Sequence, residues 1–514
     1  MTKHHRVHGF RQAAIAILVA TASALPFGAD AQVNSKWVTV VLPAEPPHLD
    51  GCRSSAAVEG RIIKLNVIET LTQRNPKDGT INPRLATSWE QIDPSTWRIK
   101  LRTGVTFHDG SPFNATTAKK SMDRTMTGKG IVCTDRVQSF GGLQMDVKIV
   151  DDHTLELKTS RPEPILPLRL SRFGIVGPDA PEDKHVIHPT GTGPYVFEKH
   201  APTEISLKRN EKYWGAKPPV EGAKYIWRNE SAVRASMVQI GEADIALAIG
   251  PQDATDPAMD YSFFNGETTS LRLDTILPPL NDKRVRLALS YALDRAAMIG
   301  TVMPKTAVQA TQLILPSIPG HNHDLDKKLI PYDPAKAKQL LAEAKASGVP
   351  VDAEIRLVSF PGQYPNSTEL MEAFTTMYRA VGLNMKIVNV ESAGYNSYNN
   401  KPFPENRPPV ILQNSHDNVA GDPVFTVFYK FGCEGVTSAY CDAYLDKETL
   451  RVSDLSGEAR IKGWQEIFRY LYEEAAPSVL LYHMVGFARV GPRTTFVPDI
   501  TSNAEVRLEE LKFK

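Results

Sequence analysis

The sequence has almost no net charge and lacks the short signatures of the common secreted hydrolases. Its 59 Lys and Arg residues balance 58 Asp and Glu residues, leaving a formal charge of +1 at pH 7. A nucleic-acid partner requires a basic face, so this balance argues against one. The G-x-S-x-G run of a serine hydrolase and the H-E-x-x-H run of a zinc protease are both missing. Neither kind of hydrolase is therefore predicted. A secreted hydrolase of another kind stays open, because the separation of a glycosidase carboxyl pair is set only in three dimensions.

Long apolar runs are confined to the N-terminus. Lys3, Arg6 and Arg11 precede an apolar run at residues 13–25, and a small-x-small triplet ends at Ala31. These are the three parts of a secretory signal peptide, in order. We predict cleavage after Ala31 and export, and no lipid anchor, because no Cys follows the apolar run. No second run of about 18 apolar residues follows, so the sequence predicts no membrane-spanning helix.

Cysteine is scarce, with four residues in 514. In an exported protein an even number of cysteines indicates disulfides. Cys433 and Cys441 are close enough in sequence for a local bridge, which would leave Cys52 with Cys133. Four cysteines allow three pairings, and the sequence does not choose among them.

The stretch at residues 85–114 is the most informative part of the chain. Trp97, Ile99 and Leu101 alternate with basic residues, which is the pattern of a half-buried strand. A turn follows, and Asn114 can cap a helix that starts at the next residue. The stretch therefore predicts a strand, a turn and a helix start, with no catalytic feature.

The rest of the chain alternates strand and helix patterns, so we predict an α/β fold. A chain of 514 residues has room for two or three cores, and no Pro/Gly/Ser linker separates its halves, which favours lobes joined by crossing strands. The predicted strands are 36–42, a hairpin at 147–159, 355–359, 385–390, 410–413, 478–481 and 487–489. The predicted helices are 57–71, 115–126, 231–241, a long helix from Asp282, a helix from Asp333, 367–381 and 452–475.

A Gly-x-Gly pair at residues 190–197 invites comparison with a phosphate-binding loop. The third glycine, the lysine and the following helix of such a loop are missing. The glycines instead predict a tight turn that leads into a strand through Pro194 and Tyr195.

Six motifs in order give the chain a close resemblance to the family 5 extracellular solute-binding proteins, the peptide, nickel and oligosaccharide receptors of ABC importers. They are the stretch at 85–114, G-T-G-P-Y at 191–195, N-E-K-Y-W at 210–214, the helix and strand at 231–245, D-K-R-V-R-L-A-L from Asp282 and Y-D-P-A-K-A-K from Tyr332.

The resemblance implies a two-lobed α/β periplasmic binding protein (type II, cluster C) with an extra subdomain inserted in the N-terminal lobe. Lobe I would comprise residues 32–68, 190–270 and 487–514, with the inserted subdomain at 69–189 and lobe II at 271–486. The protein would be a monomer without catalytic activity or a cofactor, which captures a peptide or other small polar solute in the periplasm and delivers it to an ABC permease in the inner membrane.

The loop at residues 413–423 is the predicted ligand site, because it follows a strand at the usual ligand side of an α/β sheet. Its candidate ligand-binding residues are Asn414, His416, Asp417 and Asn418. Peptide-binding members of the family carry a Trp here, then an Asp that pairs with the peptide ammonium, then an Asp-Pro ending. This chain keeps Asp422-Pro423, lacks the Trp and has Val419 at the Asp position. Asp417 lies two residues earlier and could supply the charge if the loop follows another path, so an oligosaccharide, an opine-like solute or a metal complex stays open beside a peptide.

The opposite wall of the site is predicted from the loop after the first strand, with Glu45, His48 and Arg53, and from Arg136 in the inserted segment. Arginine can hold a carboxylate through two parallel hydrogen bonds. His321 and His323 are spaced so that they could chelate a metal, but the Pro/Gly/Asn/Asp context is typical of a solvated turn, and we predict no metal site.

Overall fold

The computed structural model describes residues 36–514 apart from Lys129 and Gly362. These residues form one compact unit. The predicted signal peptide, residues 1–31, lies outside the described residues. Across the described part of the chain, every helix is too short or too polar to cross a membrane.

The strands follow the α/β pattern that the sequence predicts. They are β1 (Trp37–Leu42), β2 (Thr72–Arg74), β3 (Ile81–Pro83), β4 (Ala86–Asp93), β5 (Thr96–Leu101), β6 (Met145–Asp151), β7 (Thr154–Thr159), β8 (Tyr195–Ala201), β9 (Glu204–Arg209), β10 (Gly222–Trp227), β11 (Ile245–Ile249), β12 (Asp260–Leu273), β13 (Val308–Gln309), β14 (Ile355–Ser359), β15 (Met385–Asn389), β16 (Val410–Asp417) and β17 (Ser478–Val490).

The α-helices fill most of the intervals between these strands. They are α1 (Ala57–Ile63), α2 (Ala115–Thr127), α3 (Thr134–Phe140), α4 (Leu166–Leu170), α5 (Ser231–Gln239), α6 (Lys283–Tyr291), α7 (Arg295–Met298), α8 (Pro334–Ala346), α9 (Ser367–Ala380), α10 (Ser392–Asn399), α11 (Val424–Phe431), α12 (Ala443–Ser453) and α13 (Gly457–Arg469).

Side-chain caps fix several helix starts where the sequence predicts them. Asn114 accepts a hydrogen bond from the Thr117 N–H at 3.1 Å, and Asp333 accepts one from the Lys336 N–H at 2.8 Å ahead of the N-terminal proline of α8. Each cap satisfies a backbone donor that the helix itself cannot pair. The predicted long helix from Asp282 is instead two helices, because Asp294 caps α7 separately.

The predicted helix at 57–71 is wrong beyond Ile63. Leu65 has a positive φ of 61°, which a continuing helix does not allow. The Asn66 side chain then donates to the Val506 carbonyl oxygen at 2.7 Å. The helix therefore ends before this point, and the residues that follow it contact the C-terminal segment.

The C-terminal elements also differ from the prediction. The predicted helix at 452–475 is interrupted by extended backbone at Ser456 and a positive φ of 56° at Gly457, and its last turn is π-helical. The two predicted strands at 478–481 and 487–489 are the two ends of the single strand β17.

One mixed sheet extends through most of the molecule. In the described residues it has 11 strands in the order β15-β14-β16-β12-β17-β11-β1-β10-β9-β8, with β13 also paired to β17. The long strands β12 and β17, here called the crossing strands, are antiparallel from Asp260 opposite Arg489 to Arg272 opposite Ser478.

The crossing strands connect two hydrophobic cores. At one end, β17 contributes Ala488 and Val490 to a core with β1, β8, β9, β10 and β11. At the other end, Leu271 of β12 and Leu481 of β17 belong to a core with α6, α8, α9, β14 and β15. Continuous strands, and not a flexible linker, therefore join the two sides.

A smaller sheet, β4-β5-β7-β6, forms a third core with α2 and α4. The alternation predicted around residue 97 is confirmed, because Trp97, Ile99 and Leu101 of β5 are all buried there. Burial of one such side chain contributes about 2 kcal/mol to folding. The cysteines pair as Cys433–Cys441 and Cys52–Cys133. The predicted local disulfide and the remaining pair are therefore both confirmed.

Candidate functional site

A cavity of about 240 Å³ opens where α3, the turn after α4, the strand β12, the end of β16 and the helix α11 meet. No single element builds it. Its lining residues are Gln138, Arg172, Glu267, Ser415, His416, Asp417, Ala420, Phe425, Tyr429 and Lys430. A solute held here would contact both sides of the molecule.

Two carboxylates lie side by side in this cavity. Glu267 on β12 and Asp417 at the end of β16 are directly opposite each other in the antiparallel register. Burial and the charge of Asp417 raise the pKa of Glu267 to about 7. Burial also raises the pKa of Asp417, against the opposing influence of Arg172. A ligand ammonium group placed beside the pair would favour the ionised form of both carboxylates.

A glycine sets the position of this pair. Gly266 has a φ of +90° and lies where the pairing of β12 with β17 shifts register between Phe264 and Thr268. Its carbonyl oxygen accepts a hydrogen bond from the Asn418 N–H at 2.7 Å. This irregularity places Glu267 beside the end of β16.

Two cations line the same cavity. Arg172 follows α4, is buried, and donates from Nε to Ser139 Oγ at 3.0 Å. Lys430 on α11 donates from Nζ to Asn414 Oδ1 at 3.1 Å. Burial, with the nearby charge of Arg272, lowers the pKa of Lys430 to about 7. A carboxylate placed near Lys430 would restore its full charge.

More basic groups continue from Arg172 into a narrow crevice. Lys64, Arg74 and Arg507 line it with Glu505. Burial alone would raise the pKa of Glu505, but the charges of Arg507 and Lys64 lower it to about 2. Glu505 is thus a permanent anion among four basic side chains, so the crevice carries excess positive charge.

A larger cavity of about 730 Å³ adjoins the first through Tyr429, which lines both. Arg136 and Val137 form its wall on the small-sheet side, and Phe428 and Glu434 face them. Its size lies in the range of small-molecule sites. An apolar crevice elsewhere, around Leu313, offers only about 30 Å³.

The structure brings some of the predicted loop residues into the cavity and gives others a supporting role. Asp417 and His416 line it. His416 Nε2 lies 2.6 Å from Thr426 Oγ1, and burial lowers the pKa of His416 well below its ordinary value, so the ring is neutral. Asn414 orients Lys430, and Asn418 donates from Nδ2 to the Leu313 carbonyl oxygen at 3.0 Å.

The residues predicted to form the opposite wall of the site do not lie together in the structure. Arg136 lines the larger cavity, and its guanidinium donates to the Met126 carbonyl oxygen at 3.2 Å. Glu45 pairs with His200 at 3.1 Å. His48 and Arg53 both approach Glu59, at 3.4 and 3.5 Å, and His48 stacks on His185. None of Glu45, His48 and Arg53 is among the described residues that line these two cavities.

Sequence reasoning missed Glu267, Arg172 and Lys430. Two of them had a signal: Glu267 is a charge that follows a glycine inside a strand, and Lys430 is a lone charge on the apolar helix α11. Arg172 gave no comparable signal, because it lies in a turn after a short helix. The assembled site holds two carboxylates and two cations, so it can bind a solute that carries both an ammonium and a carboxylate.

An α/β fold whose separate cores are joined by crossing strands, with a charged cavity beside those strands, is typical of the two-lobed class of ligand-binding proteins. The family model "Bacterial extracellular solute-binding proteins, family 5 Middle" matches residues 80–435, and the chain belongs to this family.

The chain is also similar to individual relatives, and solved structures share its fold. The chain is 30% identical over 347 residues to the dipeptide-binding protein of Escherichia coli (strain K12), a match that covers 61% of this chain and 64% of that protein. The dipeptide-binding protein from Pseudoalteromonas sp. SM9913 in complex with Met-Leu superposes with a TM-score of 0.78 at 18% identity, covering 93% of this chain and all (100%) of that one. The binding protein AgaA in complex with agropinic acid from A. tumefacien R10 has a TM-score of 0.75 at 21% identity, covering 93% and 99%. These structures share the fold of this chain.

Proposed function

We propose that the protein is the periplasmic substrate-binding component of an ABC importer, which captures a small polar solute between two lobes and delivers it to a permease in the inner membrane. Membership of the family supports this role. The proposed role is binding without catalysis or a cofactor, by a monomer. The dipeptide-binding relative, of which the match covers 64%, supports a peptide-like ligand.

The proposed lobes follow the division made from the sequence. Lobe I comprises residues 32–68, 190–270 and 487–514, with the inserted subdomain at 69–189, and lobe II comprises residues 271–486. Three separate cores and the crossing strands support this division. The change from lobe I to lobe II falls within β12 and β17, so bending of these strands would move one lobe on the other.

The position of the cavity suggests that the two lobes close over a bound solute. Arg172 and Gln138 come from the inserted side, while Asp417 and Lys430 come from lobe II. Contacts to both sides exist together only when the lobes are closed, so a bound solute shifts the population toward that state. The permease would then recognise the closed form.

The observation that carries the ligand assignment is the Glu267–Asp417 pair facing basic groups across one cavity. We assign the carboxylate pair to a ligand ammonium, and Arg172 with Lys430 to a ligand carboxylate. The adjoining cavity lined by Arg136 would take the rest of the ligand. A dipeptide or a similar amino-acid derivative has these features.

The excess of basic residues favours a second candidate. Lys64, Arg74, Arg172, Arg507 and Lys430 line the cavity and its crevice, against the carboxylates of Glu267, Asp417 and Glu505. A solute with more carboxylates than ammonium groups, such as an opine, would neutralise this excess. The fold shared with the agropinic acid complex is compatible with this alternative.

The test is a calorimetric and thermal-shift panel on protein that has been unfolded and refolded to remove carried-over solute. The panel contains dipeptides, agropinic acid, glutathione, oligosaccharides and nickel–histidine complexes. A ligand at 100 times its Kd stabilises the folded state by about 2.7 kcal/mol. Shifts with dipeptides only support the first candidate, and shifts with opines only support the second. A neutral oligosaccharide as the only ligand would contradict both.

A further inference from the structure

A second polar cluster lies on the lobe II side, in the loop that precedes α8. His321 is buried, at 2% exposure, whereas His323 and Asp326 reach the surface. One donor atom from each of the three residues lies within 4.8 Å of the others. The sequence showed the two histidines, but only the folded loop adds the carboxylate. None of the three is among the lining residues of the solute cavity.

The neighbours of His321 hold its ring in one tautomer. Nδ1 lies 3.1 Å from the Ile314 carbonyl oxygen, which can only accept, so Nδ1 carries the proton. The Gln312 amide is oriented by Asn322, whose N–H donates to Oε1 and whose carbonyl oxygen accepts from Nε2. That Gln312 Nε2 also lies 3.2 Å from His321 Nε2.

His321 Nε2 therefore presents a lone pair, and this lone pair faces a carboxylate. The two oxygens of Asp326 lie 2.9 and 3.1 Å from it. A lone pair and carboxylate oxygens repel one another at this distance unless a proton or a metal ion lies between them. The arrangement is that of a metal-ligating histidine whose other ring nitrogen donates to a backbone carbonyl.

We propose that His321, His323 and Asp326 bind a divalent transition-metal ion, with Zn²⁺ as the ion that suits this donor set best. Two imidazoles and one carboxylate match the three protein ligands of an open zinc site, in which water takes the fourth position. Thr311 Oγ1 donates to Asp326 Oδ1 at 2.9 Å and so orients the carboxylate from behind.

Rotation of the exposed His323 side chain would complete the geometry. Tetrahedral zinc with bonds of about 2.1 Å places neighbouring donor atoms about 3.4 Å apart. His323 Nδ1 already lies 3.5 Å from Asp326 Oδ2, and the His323 side chain is 66% exposed, so it can rotate freely. His321 and Asp326 would separate by a few tenths of an ångström.

A comparable cluster elsewhere lacks these properties. Asp50, Cys52 and His185 are also close together. Cys52 forms a disulfide with Cys133 and so offers no thiolate. Both oxygens of Asp50 accept hydrogen bonds from Arg124, at 2.9 and 2.7 Å. That cluster is already neutralised and carries no metal proposal.

The test is titration of the purified, EDTA-treated protein, carrying a tag without histidine, with Zn²⁺ by calorimetry at pH 7.5. We expect one equivalent to bind with a Kd in the micromolar range or tighter. His323→Ala and Asp326→Asn should each weaken binding about tenfold or more. The matched control Asp324→Asn removes a charge from the same exposed loop, where the Asp324 carboxylate pairs with Lys327, and should leave zinc affinity unchanged. Cobalt in place of zinc should give the visible absorption of a low-coordinate site.

Two results would overturn the proposal. Absence of zinc binding below millimolar concentrations would mean that a proton, and not a metal, lies between His321 and Asp326. Zinc binding that survives both substitutions would place the ion elsewhere on the surface. Since His323 is exposed, its replacement leaves the fold intact, and unchanged solute binding in the same variant separates this test from that of the proposed function.

Discussion

Glu267 on β12 lies directly opposite Asp417 on β16, and both side chains line the charged cavity. Two carboxylates this close in a partly buried site hold protons more tightly than in water. The pKa of Glu267 is raised from 4.5 to about 7 by burial and by Asp417. The state of this pair therefore changes across the physiological pH range.

The first prediction concerns the pH dependence of solute binding. An ammonium group favours the ionised carboxylates, so binding below about pH 7 must release a proton. We expect the affinity for a ligand that carries an ammonium group and no carboxylate to increase from pH 5 to pH 8. Glu267→Gln should weaken binding and reduce the slope, although Lys430, whose pKa is also about 7, still titrates in the same cavity. Calorimetry in buffers of different ionisation enthalpy measures the proton release. Glu90→Gln, an exposed change on β4, is the control, and an unchanged profile in Glu267→Gln would contradict the assignment.

In the protein without ligand, the same carboxylate pair makes the free energy of unfolding depend on pH in the opposite direction. The folded-state pKa of Glu267 lies above its ordinary value, so the folded state binds more protons between about pH 4.5 and 7. The free energy of unfolding should fall as the pH rises through this window. In Glu267→Gln this loss should be absent, because the amide does not titrate; urea unfolding at pH 5 and pH 8 measures both. Equal pH slopes in the two proteins would show that Glu267 ionises freely.

The second prediction tests the carboxylate side of the site. Arg172→Gln should weaken binding of a ligand with a free carboxylate by about tenfold or more, because a charge-assisted hydrogen bond is worth about 1.5–3 kcal/mol. The same ligand with its carboxylate amidated should bind wild type and variant with similar affinity. Arg98→Gln, on the exposed face of β5, is the control. Equal losses for both ligand forms would show that Arg172 only supports the fold through Ser139.

The third prediction compares the two disulfides. Cys52–Cys133 closes a sequence separation of 81 residues, and Cys433–Cys441 closes 8. In the chain-entropy description, the longer loop restrains the unfolded chain more, by about 2 kcal/mol. The double variant Cys52→Ala/Cys133→Ala should therefore lose more thermal stability than Cys433→Ala/Cys441→Ala. Calorimetry of both variants checks the order, and the reverse order would mean that native contacts outweigh loop entropy.

The sequence motifs predicted the fold well because they mark structural contacts. Thr192 of the glycine-containing turn and Trp214 both donate to Glu69 Oε2, at 2.8 and 2.9 Å. Arg84 Nε donates to Glu69 Oε1 at 2.5 Å. These motifs are distant in sequence and meet at one buried carboxylate. The turn at 190–197 is thus part of the framework and not a phosphate loop.

The site was only partly predictable, for a physical reason. Asp417 was predicted from a strand end, which is a local feature of the sequence. Glu267 and Arg172 reach the same cavity through the register of β12 with β16 and through the turn after α4. Such pairings join residues about 100 positions or more apart, and no local pattern encodes them. Glu45, His48 and Arg53 were plausible by position, yet Glu45 lies beside His200, and His48 and Arg53 lie beside Glu59.

The last prediction concerns the glycine beside the carboxylate pair. A Cβ at Gly266 would lie 2.8 Å from Val419 Cγ2, and its φ of +90° strains any other residue. Gly266→Ala should cost about 1–3 kcal/mol and displace Glu267 from Asp417, because Val419 follows the end of β16. Gly348→Ala is the matched control: its φ is +87°, but nothing lies within 4 Å of the added Cβ. Both variants should lose thermal stability, whereas only Gly266→Ala should lose affinity for an ammonium-bearing ligand. If affinity is retained in both variants, the geometry of the crossing strands at Gly266 does not set the site, and the carboxylate pair tolerates displacement.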